Sequence, residues 1–301
     1  MAINRHSLEQ VQFVSVEGGA VQVRVYQPHA DKARMRTPLL VTHGGPGGSS
    51  IGLYDALNQL ADRRPIIFYD QLGSFSSPAE LSLKQMTLER FASEPLQILD
   101  QLHLRRVHLL GHSWGGSVMT QFCLSHPERV SKLILSSPLL STQQWIEDCN
   151  HLLKEIKSDL RVDADIKGEF EKRHFCLNKE ATDFICSESR RTNTRLYECM
   201  WGSSEFIHSG VLATLNFFPR LDQITASTLL ICGDNDTATP STLQNAKDRI
   251  GLNAQLQVLS NAGHKTYIDC NQQFIEIIST FLDDKSNSTA QLTISLEPIS
   301  S

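Results

Sequence analysis

One serine lies in a sequence pattern that suits nucleophilic chemistry. The stretch 107–116 reads VHLLGHSWGG, in which a short apolar run ends in a Gly-x-Ser-x-Gly pattern around Ser113, and a helix-compatible segment, 117–126, follows. This order predicts a strand, a sharp turn and a helix, with the serine hydroxyl exposed at the turn. The glycines remove Cβ atoms that would otherwise collide with the strand or the helix. Ser113 is therefore the candidate nucleophile.

A serine hydroxyl is a poor nucleophile near neutral pH and needs a base, and the base needs an orienting carboxylate. Two later turns supply both groups. Asp236 follows the apolar run 227–232, and His264 follows the run 255–259. The order serine, acid, histidine is that of the α/β-hydrolase fold. Asp234 is the rival acid, but it follows its strand so closely that it suits a role in holding the turn.

A glycine-rich loop, HGGPGG at 43–48, directly follows the short apolar strand 39–42. This position is typical of the loop that supplies the first oxyanion-hole donor, and the residue after the nucleophile supplies the second. The backbone N–H groups of Gly45 and Trp114 are therefore the candidate donors. A phosphate-binding loop is the competing interpretation, but the Gly-Lys-Ser/Thr ending that it requires is missing.

Strands alternate with helices along most of the chain, which predicts a mostly parallel sheet of eight strands covered on both faces. Period-two or continuous apolar patterns predict the strands, at 13–16, 21–26, 39–42, 65–70, 107–111, 130–136, 227–232 and 255–259. Helical spacing of apolar residues predicts the helices, at 55–62, 86–103, 117–126, 241–250 and 272–281.

The pattern changes after 138, where β-branched runs stop, charged residues become dense and apolar residues take helical spacing. We interpret 139–224 as a helical cap inserted into an α/β core formed by 1–138 and 225–284. The polar, aperiodic stretch 285–301 is expected to be a flexible tail.

Composition excludes several function classes. The chain has 301 residues, 40% of them hydrophobic, which is enough for a well-buried core. A net charge of −5 with no basic stripe argues against nucleic-acid binding. No segment is long and apolar enough to suggest a membrane span or a secretory signal, so the expected location is the cytoplasm. Seven scattered cysteines without a Cys-x-x-Cys pair argue against a disulfide framework and against a metal site.

Four motifs in order resemble one known family. These are His-Gly-Gly-Pro-Gly at 43–47, Asp-Gln-Leu-Gly at 70–73, Gly-His-Ser-Trp-Gly-Gly at 111–116 and Gly-x-x-Asp at 233–236. They are similar to those of the proline iminopeptidases and the related tricorn-interacting aminopeptidase, and the resemblance covers nearly the whole chain. It implies an α/β-hydrolase fold, no cofactor, and a small-molecule or short-peptide substrate with a free N-terminus.

In that family, carboxylates of the cap and loops hold the substrate's α-amino group. The segment 200–206, MWGSSEF, resembles the cap segment that carries one of them, which implies Glu205 as an ammonium anchor. The related enzymes often carry a second glutamate directly after the triad aspartate, where this chain has Thr237. One expected anchor is thus missing, which leaves room for looser recognition of the substrate terminus.

These observations predict a serine hydrolase that cleaves the amide bond after a small apolar N-terminal residue through an acyl-enzyme. Two alternatives stay open at this point. One is a carboxylesterase or thioesterase of a dedicated biosynthetic pathway, and the other is a hydrolase-fold binding protein with little turnover. The sequence carries no signal for the oligomeric state.

Overall fold

The structure, a computed structural model, describes residues 7–159, 165–181 and 191–284. The predicted tail 285–301 lies outside the described residues, as do two parts of the predicted cap.

Eight strands form one sheet in the order β1-β2-β4-β3-β5-β6-β7-β8. Their bounds are β1 Ser7–Val16, β2 Gly19–Pro28, β3 Leu39–Thr42, β4 Ile66–Tyr69, β5 Val107–His112, β6 Val130–Ser136, β7 Ser227–Gly233 and β8 Ala254–Leu259. Strands β1 and β2 form an antiparallel hairpin and β2 is antiparallel to β4, whereas the pairs from β4 to β8 are parallel. The predicted eight-stranded, mostly parallel sheet is confirmed.

The sheet has an apolar cluster on each face because side chains alternate along every strand. In β3, Leu39 and Val41 belong to one cluster, while Leu40 between them belongs to the other. All three side chains are fully buried. A strand that packs on both faces reads as a continuous apolar run, which is why β3 to β7 were recognisable in the sequence.

Helices cover both faces of the sheet. Within the described ranges they are α1 (Asp31–Arg34), α2 (Ile51–Leu57), α3 (Leu88–Gln101), α4 (Trp114–Ser125), α5 (Thr142–Asp159), α6 (Ile166–Phe170), α7 (Thr194–Met200), α8 (Pro240–Ile250), α9 (Thr266–Asp269) and α10 (Asn271–Asp283). Apolar residues of α2 and α10 join the cluster on one face, and those of α3, α4 and α8 join the cluster on the other. No helix in these ranges has the length and apolar character needed to cross a bilayer.

Two helices begin three or four residues before their predicted start. Helix α4 begins at Trp114, directly after the candidate nucleophile, three residues before the predicted start. Glycines at 115 and 116 weaken the helical pattern, but they are required for close backbone approach. Helix α2 begins at Ile51, four residues early, and Ser50 directly before it donates two hydrogen bonds to Asp70.

The described parts of the chain between β6 and β7 contain helices, turns and two isolated β-bridges. This insertion contributes helices α5, α6 and α7. Its ends are tied to each other by the Thr142 N–H, which donates to the Leu215 carbonyl, and by the Phe217 N–H, which donates to the Leu140 carbonyl.

Candidate active site

The candidate nucleophile lies on a strained turn. Ser113 joins β5 to α4 with φ 55° and ψ −121°, a conformation that non-glycine residues rarely adopt. Its two flanking glycines sit at close backbone contacts. A Cβ on Gly111 would lie 2.2 Å from the Gly115 carbonyl oxygen, and one on Gly115 would lie 2.5 Å from the Thr42 carbonyl oxygen. Backbone strain of this kind is characteristic of functional sites.

The structure brings Asp236 and His264 together. Asp236 follows β7, His264 follows β8, and the distance from His264 Nδ1 to Asp236 Oδ1 is 2.9 Å. Both side chains are almost completely buried. The Asp236 carboxylate also accepts the Ala238 N–H at 2.9 Å, which fixes its orientation. Because Nδ1 faces the carboxylate, Nε2 of the imidazole is the nitrogen left for a reacting group.

Asp234, the rival acid, has a different role in the structure. Its carboxylate accepts the Asn235 side-chain amide at 2.6 Å and the Ala262 N–H at 3.2 Å. These contacts hold the turn after β7 against the turn after β8. The expectation that Asp234 serves the turn is thus met by its contacts.

Ser113, His264, Gly45 and Glu205 line one cavity with a volume of about 1200 Å³. The cavity lies beyond the carboxyl ends of the parallel strands, where open α/β sheets bind their ligands. The imidazole of His112, next to the candidate nucleophile, lies 4.9 Å from that of His264 between ring centroids. Burial and the neighbouring His264 hold the pKa of His112 well below its usual value, so this second imidazole is neutral.

The glycine-rich loop lies directly against the nucleophile. A Cβ on Gly44 would come within 3.0 Å of Ser113 Cβ, so only glycine allows this approach without displacement. Gly45 has φ 119°, in the region that favours glycine, and it lines the cavity. Trp114 is the first residue of α4, where a backbone N–H has no acceptor within the helix.

A buried network braces this loop. The Gln71 side chain donates from Nε2 to the His43 carbonyl at 3.0 Å and accepts from Trp114 Nε1 at 2.7 Å. The Gln71 N–H donates to His43 Nε2 at 3.0 Å, so the proton of this imidazole is on Nδ1, which donates to the Gly44 carbonyl at 2.7 Å. These contacts fix the His43 side chain and the backbone at the start of the loop. Gln71 belongs to a recognised motif, but no local signal pointed to its two long-range partners.

The Asp70 carboxylate accepts four hydrogen bonds from nearby donors. They come from the Ser50 N–H and hydroxyl at 2.7 Å each, the Ser76 N–H at 3.2 Å and the Ser49 hydroxyl at 3.3 Å. The carboxylate therefore ties the two serines that directly follow the glycine-rich loop to the turn after β4.

The insertion supplies a carboxylate to the same cavity. The Tyr197 hydroxyl donates to Glu205 Oε1 at 2.5 Å, and both residues line the cavity. Burial raises the pKa of Glu205, although the hydrogen bond from Tyr197 and the nearby His264 act in the opposite direction. The tyrosine partner was not predicted, because its position eight residues earlier carries no signal of this contact.

Aromatic residues form part of the cavity wall. Trp145 and Trp201 line it, and the Trp145 ring centroid lies 5.3 Å from that of His264. Phe217 and Phe218 of the insertion are not among the lining residues.

Thr237, which stands where related enzymes often carry a second glutamate, is fully buried and is not among the residues that line the cavity. Its hydroxyl lies 3.3 Å from His264 Nδ1 and 3.4 Å from Asp236 Oδ1. The side chain at this position thus contacts the acid and the imidazole.

The sheet, the strained serine turn and the Asp236–His264 pair together define an α/β hydrolase. The sequence model of the alpha/beta hydrolase fold matches residues 37–269. The chain is 33% identical over 287 residues to the proline iminopeptidase of Heyndrickxia coagulans, covering 90% of this chain and 98% of that protein. It is 30% identical over 268 residues to the proline iminopeptidase of Lactobacillus helveticus, covering 82% and 90%. The chain belongs to the proline iminopeptidase family of α/β hydrolases and is an enzyme.

Solved structures agree on the fold. The crystal structure of the proline iminopeptidase of Mycobacterium smegmatis superimposes with a TM-score of 0.81 at 24% identity, covering 91% of this chain and 97% of that chain.

Proposed function

We propose that this protein is a serine aminopeptidase or amidase that releases a small apolar N-terminal residue from its substrate through an acyl-enzyme. Ser113 is the nucleophile, His264 the general base and Asp236 the residue that orients the imidazole. The names of the relatives support the substrate class, since they are proline iminopeptidases.

The reaction proceeds in two half-reactions. His264 Nε2 removes the Ser113 hydroxyl proton as Oγ attacks the scissile carbonyl carbon, and the carbonyl π electrons move to oxygen. Collapse of the tetrahedral intermediate breaks the C–N bond, and the imidazolium gives its proton to the leaving amine. Water then attacks the acyl-enzyme by the same route, which releases the free amino acid and restores the serine. Asp236 stabilises the imidazolium in both halves.

The N–H groups of Gly45 and Trp114 are the proposed oxyanion hole. The loop of Gly45 packs against the nucleophile, and the Trp114 N–H is at the start of α4. A helix N-terminus favours negative charge, which adds to the stabilisation of the oxyanion.

One observation carries the proposed specificity: the Glu205 carboxylate lines the same cavity as Ser113. A carboxylate held in one place by Tyr197 can pair with a substrate ammonium group and selects against blocked termini. The insertion 139–224 is the proposed cap over the core 1–138 and 225–284, because it contributes Glu205, Tyr197 and the wall residues Trp145 and Trp201 to the cavity.

The test compares prolyl and alanyl arylamides that have a free amine with the same compounds N-acetylated. The native enzyme is expected to turn over only the free amines, and Ser113→Ala to abolish turnover. Glu205→Gln keeps the shape of the side chain and removes its charge. It is expected to raise KM for the free amines by about tenfold or more, as the loss of a charge-assisted hydrogen bond implies. Unchanged turnover in Ser113→Ala would remove the assignment.

A second candidate is a carboxylesterase or thioesterase. The observation that favours it is Thr237, which stands where related enzymes often carry a second glutamate and is buried away from the cavity. Equal turnover of free and acetylated substrates, with no effect of Glu205→Gln, would establish this alternative. A binding protein with little turnover would instead be revealed by failure of Ser113 to react with a phosphonate probe.

A further inference from the structure

A short segment of the insertion is hydrogen-bonded to the loop that carries His264. We name residues 174–178 the clamp segment. The His264 N–H donates to the His174 carbonyl at 2.7 Å, and the Lys265 N–H donates to the Phe175 carbonyl at 2.8 Å. The backbone of the candidate base is therefore held by the insertion as well as by the sheet that precedes it.

Asp269, in helix α9, joins the two sides of this contact. Its Oδ1 accepts the N–H groups of Leu177 and Asn178, each at 2.9 Å, and its Oδ2 accepts the N–H of Gly263 at 2.9 Å. The thiol of Cys176 lies 3.3 Å from the same Oδ1. One carboxylate thus holds two backbone groups of the clamp segment and the residue directly before His264.

The clamp segment and the loop before His264 approach each other so closely that only glycine fits at position 263. A Cβ there would lie 2.7 Å from the His174 carbonyl oxygen and 2.9 Å from the Leu177 side chain. The clamp segment also reaches the acid, because His174 Nδ1 donates to the Asn235 carbonyl at 2.9 Å, and Asn235 directly precedes Asp236. The loop of the acid and the loop of the base are therefore both hydrogen-bonded to the clamp segment.

We propose that Asp269 is a positioning residue, which locks the clamp segment onto the loop of His264 and thereby sets the orientation of the imidazole. This inference rests on the proposed role of His264 as general base. The physical reason is that a base must be held to a fraction of an ångström, and a displacement of about 1 Å can cost on the order of a hundredfold in rate. Because Phe175, Leu177 and Asn178 also line the cavity, a substrate seated there touches the segment that orients the base.

The chemistry of the carboxylate makes the proposal testable. Three N–H donors converge on its two oxygens, so Asp269→Asn forces the amide NH₂ to face an N–H group on one side or the other. This variant loses the hydrogen bonds either to the clamp segment or to Gly263, and it keeps the side-chain shape. Asp269→Ala removes the hydrogen bonds to the clamp segment and to Gly263 together. Gly263→Ala pushes the clamp segment away and leaves the Asp269 carboxylate unchanged. Asp222→Asn, at an exposed aspartate, is the matched control.

The experiment measures turnover of p-nitrophenyl acetate and of prolyl arylamide. Each rate is divided by the concentration of active sites, which is the amount of Ser113 that an excess of fluorophosphonate has labelled at completion. We expect kcat per labelled serine to fall about tenfold in Asp269→Asn, further in Asp269→Ala, and about tenfold in Gly263→Ala, with KM changed less than about twofold. The Asp222→Asn control should equal the native enzyme.

Two results would overturn the proposal. If the labelled fraction falls but kcat per labelled serine stays native, Asp269 serves folding only. If only KM changes, the residue serves substrate binding. Should Asp269→Ala fail to fold, Gly263→Ala and Asp269→Asn give the answer. Hydrolysis of p-nitrophenyl acetate depends on the base but needs no aminoacyl group. If the aminopeptidase assignment fails, the native enzyme does not turn over prolyl arylamide, and the variants can still be compared by their hydrolysis of p-nitrophenyl acetate.

Discussion

Replacing Gln71 by alanine is expected to lower the free energy of unfolding by about 3 kcal/mol and to reduce kcat. The side chain accepts from Trp114 Nε1 and donates to the His43 carbonyl, and all three residues are buried. The substitution leaves one N–H and one carbonyl group without these partners, and each such loss costs about 1–3 kcal/mol. Activity falls as well, because the same bonds join the serine turn to the glycine-rich loop.

A double-mutant cycle in urea with Trp114→Phe separates this network from general loss of packing. Phenylalanine keeps the aromatic ring and removes the N–H, so in the double variant no indole donor is left unpaired. The two effects are therefore expected to be non-additive by about 1 kcal/mol or more. Additivity to within about 0.5 kcal/mol would refute the reasoning, since it would mean that the 2.7 Å contact between Trp114 and Gln71 contributes nothing.

Three further predictions concern single positions. Glu94 is completely buried, and burial raises its pKa to about 7, against the hydrogen bond from Arg90. The folded state therefore binds a proton at Glu94 more tightly than the unfolded chain does, so the free energy of unfolding should fall as pH rises from about 4.5 to about 7. If urea titrations of Glu94→Gln show the same fall in unfolding free energy over this pH range, the assignment is contradicted. Gly111→Ala places a Cβ 2.2 Å from a backbone carbonyl oxygen, so labelling of the serine by a fluorophosphonate should be largely lost; native labelling would show that the turn can relax. Thr237→Val keeps the volume and removes the hydroxyl beside His264, so kcat should fall about threefold at unchanged KM, and a change in KM alone would argue for contact with substrate.

Much of the fold was predictable from local sequence. Strands buried on both faces, such as Leu39–Thr42 and Ile66–Tyr69, read as continuous apolar runs, and each ends at a turn rich in glycine or polar residues. The serine turn is also a local feature, because the strand, the glycines and the helix that produce it lie within one short stretch. The order of the turns after β7 and β8 then singled out Asp236 and His264, which the structure places 2.9 Å apart.

What the sequence determined by itself was the order of strands and helices and the identity of the residues at the strand ends, since hydrophobic periodicity and turn chemistry act between near neighbours. Only the tertiary structure decided which of those residues touch. Gln71 meets Trp114 across 43 positions, and Asp269 meets Leu177 across 92. Both contacts depend on how separate elements pack against one another, and a side chain that serves a distant loop looks the same in sequence as one that faces solvent.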